Sequence, residues 1–137
     1  MTSRQLVSAL KKWHRENAGH ISRLEMRKDI HGFDFSIFPK GKNKAAIWIG
    51  IGEKELDLNA GEGFVLELAQ SEFDKVIEVC DAIKNGALSE VRYSLFGRTL
   101  GATSTLMLGT GDIRTSRWRF LLPVPFWGER RVYQSWE

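Results

Sequence analysis

A single cysteine, Cys80, leaves the 137-residue chain without an intramolecular disulfide, whereas small secreted domains are more often stapled by several. Long apolar runs are missing as well: no stretch approaches the ~20 consecutive apolar residues of a membrane-spanning helix. The N-terminus meets Arg4 and then Lys11-Lys12-Trp13-His14-Arg15 before any continuous apolar segment or small-residue cleavage site can form, so a secretory signal is not read there. These absences point to a cytoplasmic protein with no membrane contact. Histidines are scarce too. His14, His20 and His31 lack the i, i+4 or Cys-linked spacing that commonly builds zinc sites, and neither a metal nor a cofactor is expected.

What remains is the composition of an ordinary globular protein, 42% hydrophobic and 27% charged, and the length suits one domain that buries roughly two thirds of its unfolded surface. No linker or low-complexity tract divides it, so residues 1–137 are read as a single α+β domain. Glu137 follows Trp136 with no terminal tail, which suits a chain cut short.

Periodicity supplies the elements. Thr2 and Gln5 have capping-box spacing ahead of an apolar stripe of Leu6, Val7, Leu10, Trp13 and His14, which predicts a helix from Ser3 to Asn17 ended by Gly19. From Ile21 the period changes to two. Leu24 and Met26, then Phe33, Phe35 and Ile37, then Ala45, Ile47, Ile49 and Ile51 read as half-buried strands, with Trp48 facing the other way. Pro39 to Lys44 is a turn crowned by three lysines, and Gly61-Glu62-Gly63 joins two short runs as a hairpin. The second helix has Ser71 as N-cap, Asn85-Gly86 as its end, and a buried stripe of Phe73, Val76, Ile77, Cys80 and Ile83. Alternation resumes at Val91, Tyr93 and Leu95. It continues through Thr99 to Leu108, Ile113 to Leu122 and Val132 to Trp136, with Pro123-Val124-Pro125 interrupting the last pair. The expectation is a largely antiparallel sheet or sheets of about six to eight strands with an N-terminal and a central amphipathic helix.

Net charge is only +3, but it is segregated. Residues 1–44 hold ten Lys or Arg against four Asp or Glu, residues 45–90 three against ten, and residues 91–137 seven against three. Such layering either pairs off on folding or yields opposite surface patches that steer charged partners.

Few residues invite catalysis. Cys80 lies on the apolar stripe of its helix and reads as core, without the base a nucleophile needs. His31 near Asp34 has the makings of an acid–base pair, but His31-Gly32 is a turn signal. Gly50-Ile51-Gly52 and Gly109-Thr110-Gly111 lack the third glycine or Lys-Ser/Thr ending of a phosphate cradle and read as hairpin turns. Catalytic residues are therefore not assigned. Two surfaces stand out instead. Glu53, Glu55 and Asp57 share one face of an extended segment, opposite Leu56 and Leu58, and with Glu62 form an acidic candidate for a basic protein partner. Arg114, Arg117, Trp118 and Arg119 alternate cations with an aromatic ring, as a strand that tracks a phosphate backbone would. A strand buried on one side gives the same pattern, with Trp118 and Phe120 on one face and Arg117 and Arg119 on the other.

Ser71-Glu72-Phe73-Asp74 through Ile83-Lys84-Asn85-Gly86, followed by Glu90-Val91-Arg92 and Gly97-Arg98, resembles small bacterial immunity proteins over about the central 30 residues. The resemblance implies a cytoplasmic antitoxin that binds a cognate toxin domain, often a nuclease, and blocks its active site or substrate surface. It assigns no residue a role. Two other functions compete: a single-stranded nucleic-acid-binding module built on the Arg/aromatic strand, and a small-ligand binder or enzyme with a pocket between sheet and helices walled by Trp48, Trp118 and Trp127.

Overall fold

A computed structural model describes residues 2–96, 98–118 and 128–137, with the backbone alone at Leu95. Helix α1 spans Ser3–Asn17 and starts on the expected capping box. Gln5 N–H donates to Thr2 Oγ1 at 3.3 Å and Thr2 N–H to Gln5 Oε1 at 2.8 Å, which satisfies two donors that a helix start would otherwise orphan. Leu6, Val7, Leu10 and Trp13 form its buried stripe.

The chain then folds into a five-stranded antiparallel meander: β1 (Ser22–Asp29), β2 (Gly32–Pro39), β3 (Ile47–Ile51), β4 (Glu55–Ala60) and β5 (Phe64–Ala69), in spatial order β1-β2-β3-β4-β5. Period two decides its faces. Phe35 and Ile37, Ile47, Ile49 and Ile51, Leu56 and Leu58, and Phe64 and Leu68 all turn to one side and are buried, so Trp48, Asp57 and Glu67 must face the other.

Gln70–Glu72 form a 3₁₀ turn that leads into helix α2, Phe73–Lys84. Ser71 is therefore not the N-cap. The entry is fixed by Glu72 Oε1, which accepts from Ala69 N–H at 3.2 Å, and by the Gln70 side chain, which donates to Gly52 O. The exit follows the sequence signal: Gly86 adopts φ +83°, Gly86 N–H donates to Ile83 O at 3.1 Å and Ala87 N–H to Ala82 O at 3.0 Å, the paired bonds of a Schellman stop. Phe73, Val76, Val79, Cys80 and Ile83 are buried in one cluster with the α1 stripe and the inner face of the first sheet, each large side chain contributing roughly 1.5–3 kcal/mol. Trp13 Nε1–H donates to Asp81 Oδ1 at 2.8 Å and ties the helices together.

A second antiparallel sheet follows: β6 (Leu88–Leu95), β7 (Arg98–Leu108), β8 (Gly111–Trp118) and β9 (Gly128–Val132), in order β8-β7-β6-β9. The protein is thus α+β, with nine strands among the described residues against the six to eight anticipated. The last strand lies earlier than expected. Tyr133 N–H still donates to Leu88 O at 3.1 Å, and the chain then leaves β6, Gln134 N–H donating to Asn43 O and Trp136 N–H to Lys84 O, so Tyr133 and Trp136 enter the core from irregular backbone. Gly50 corrects another expectation: it lies inside β3 rather than in a turn, whereas Gly109-Thr110 does join β7 to β8. The Pro123-Val124-Pro125 interruption lies outside the described residues. No helix among them is long and apolar enough to cross a membrane.

Candidate functional site

The outward face of the first sheet gathers carboxylates. One row across β2 to β5 reads Asp34, Gly50, Asp57, Glu67. Asp57 and Glu67 are directly opposed like charges, an arrangement that destabilises a sheet. Gly50 makes room for it, since a Cβ at that position would collide with Asp57 Oδ1. Burial raises the Asp57 pKa above its ordinary 3.8, and the neighbouring Asp34 and Glu67 raise it further. Arg27 stands opposite Asp34 on β1, yet among the described residues no cation comes within 4.0 Å of Asp34, Asp57 or Glu67. An open depression of about 550 Å³ passes over β4 and β5 beside Glu55, Asp57 and Glu67.

Of the four acidic residues singled out in the sequence, Glu55 and Asp57 share this face on β4, and Glu53 is exposed in the bend just before it. Glu62 stands apart. It occupies the β4–β5 turn, where it pairs with Arg92 Nε at 3.0 Å. Asp34 and Glu67 join the row through cross-strand register, which no local pattern reveals.

Beside Glu62, Glu90 clasps the two sheets together. Although only 1% exposed, its carboxylate is fully engaged: Oε2 accepts from Glu62 N–H and Gly63 N–H, both at 2.9 Å, and from Ser104 Oγ at 2.8 Å, while Oε1 accepts from Tyr133 Oη at 2.6 Å. Burial and Glu90 together push the Tyr133 phenol up. Thr115 adds a second junction, accepting from Val65 N–H at 3.0 Å and donating to Gly63 O at 3.1 Å. The clasp fixes the faces of β6: Leu88 and Glu90 are buried, and Val91 and Tyr93 lie on the opposite, half-buried face.

The basic strand is divided by its pleat. Arg114, Ser116 and Trp118 face away from the first sheet, whereas Arg117 points toward it and donates to Asn59 Oδ1. Arg119 and Trp127 lie outside the described residues. The partners of Trp118 come from elsewhere in the chain: Tyr93 stacks on it with centroids 5.2 Å apart and planes 20° off parallel, and Arg130 on β9 shares the face through its pairing with Val91.

The remaining candidates are structural. Cys80 is buried, and burial, with a smaller contribution from Asp81, drives its thiol pKa up, which removes the thiolate a nucleophile requires. His31 is exposed in the β1–β2 turn, where Asp29 Oδ1 accepts from His31 N–H at 2.7 Å and Gly32 N–H at 3.1 Å. Ser22 Oγ spends its proton on Ala18 O at 2.6 Å, so His14 Nε2 at 2.9 Å must be the donor to it. Trp48 and Trp118 do not wall one pocket. A cleft of about 390 Å³ between the sheets is lined by Trp48, Asn59, Glu62 and Arg117, with Trp118 on the far side of its sheet. Among the described residues no group of three or more His, Cys, Asp or Glu is placed to hold a metal ion. Compared with protein-family models, curated proteins and solved structures, the chain matches none.

Proposed function

We propose that this chain is a cytoplasmic immunity protein that binds a cognate bacterial toxin domain, such as a nuclease, and neutralises it by covering a basic surface. The reading rests on one observation above all: Asp57 opposes Glu67 and faces Asp34 with no cation at ion-pair distance among the described residues. That arrangement costs stability in the free protein. A Lys- or Arg-rich partner face relieves the cost on binding, and the same charge speeds encounter. Nuclease domains carry such faces because they hold phosphates. Glu55 on β4 extends the surface, Glu53 is exposed in the bend before that strand, and the depression beside Glu55 admits the long side chains of a basic partner. No cofactor enters this mechanism. Inhibition is steric and electrostatic.

The reading predicts a toxin-domain reading frame beside this one, and co-expression with that domain tests it. The chain should restore growth, and Asp57→Asn with Glu67→Gln should weaken the protection. Failure to protect, or protection indifferent to both substitutions, contradicts it.

A further inference from the structure

We infer that the outward face of the second sheet binds single-stranded nucleic acid, with the Tyr93–Trp118 stack as its base platform and Arg114 and Arg130 as its phosphate contacts. This face is separate from the carboxylate row, and the inference does not depend on the immunity reading.

Register assembles the surface. Tyr93, Gly101 and Trp118 form one cross-strand row. Gly101 brings no side chain, so the two rings close over it, and a Cβ there would run into the Trp118 ring. Trp118 nevertheless remains 44% exposed and presents ring surface to solvent. The next row reads Arg130, Val91, Thr103, Ser116, and the one after it Val132, Ser89, Thr105, Arg114. Both arginines are exposed, neither is in an ion pair among the described residues, and these rows contain no carboxylate. Asp112 lies one row further along, opposite Met107.

The chemistry selects the occupant. Two exposed guanidinium groups complement phosphates, and hydroxyls from Thr103, Thr105 and Ser116 suit a sugar–phosphate chain better than the apolar centre of a protein interface. An acidic peptide would use the arginines but leave the stacked rings idle. A duplex hides its bases, whereas a single strand offers both phosphates and free base faces, and stacking on an aromatic ring tolerates any base.

The test is fluorescence anisotropy of a fluorescein-labelled dT12 oligonucleotide titrated with the full chain between about 50 and about 200 mM salt. Binding should weaken as salt rises. Arg114→Ala with Arg130→Ala should flatten the log–log salt slope by about 1.4, the share of two phosphate contacts. Trp118→Ala should weaken binding by about tenfold. If Trp118→Ala does not fold, as judged by circular dichroism, the exposed arginine pair carries the test. Absence of binding at about 50 mM salt, binding unaltered by the arginine pair, or displacement of dT12 by polyglutamate as readily as by unlabelled dT12 would each overturn the inference.

Discussion

The carboxylate of Asp57 lies over the bare backbone of Gly50 and directly opposes Glu67 on the neighbouring strand. Two acids thus sit where a sheet would ordinarily place a complementary pair. The consequence is measurable in the free protein. Asp57 has its folded pKa raised above the unfolded value, so the folded state holds the proton more tightly and stability falls as pH climbs from about 4 through the raised value. At neutral pH the charge is a cost. Asp57→Asn should therefore stabilise the protein by about 0.5 kcal/mol, read as a higher urea midpoint at pH 7, and the gain should vanish at acid pH.

Glycine substitutions separate a functional gap from structural ones. At Gly50 an added Cβ meets only the movable end of the Asp57 side chain, so Gly50→Ala should fold with little loss and displace that carboxylate. Gly32 has φ +142° and a Cβ there would strike the Ile51 carbonyl. Gly32→Ala should cost about 2 kcal/mol or more, and thermal melts of the two variants check the contrast.

The Glu90 clasp should rank among the most sensitive polar positions. Glu90→Gln replaces an acceptor by a donor in a site surrounded by donors and should cost about 3 kcal/mol. Tyr133→Phe removes one of those bonds and should cost about 1–2 kcal/mol. Equal losses in denaturant titrations would mean that Glu90 does not hold the sheets together.

His14 sets an opposite pH trend. Partial burial outweighs its hydrogen bond to Ser22 and lowers its pKa below 6.5, so the unfolded chain takes up a proton first and stability declines as pH falls through that value. His14→Gln, which keeps an N–H donor for Ser22, should remove this slope from a pH series of melts.

The local signals in the sequence carried the helices well. Thr2 and Gln5 announced α1, and Asn85-Gly86 announced the end of α2, because caps depend on a few adjacent residues. Long-range pairing was less accessible. Gly50 reads as a turn glycine until Asp57 is known to lie across from it, and nothing local to Trp118 names Tyr93, which is twenty-five positions away. The alternation of Val91 and Tyr93 marks β6 as a strand without naming its buried side. Glu90 takes that side because four donors from three other segments converge on its carboxylate. The acidic surface was half legible for the same reason: Glu55 and Asp57 alternate within one strand, whereas Asp34 and Glu67 arrive by register.

The decisive measurement is isothermal titration of the chain against a toxin domain from the neighbouring reading frame, where the proposed immunity function places one. Recognition through the carboxylate row predicts nanomolar binding that drops at least about tenfold, or ~1.4 kcal/mol, in Asp57→Asn with Glu67→Gln while the fold stays intact. Absence of binding, or an affinity unchanged by removing both charges, would contradict it.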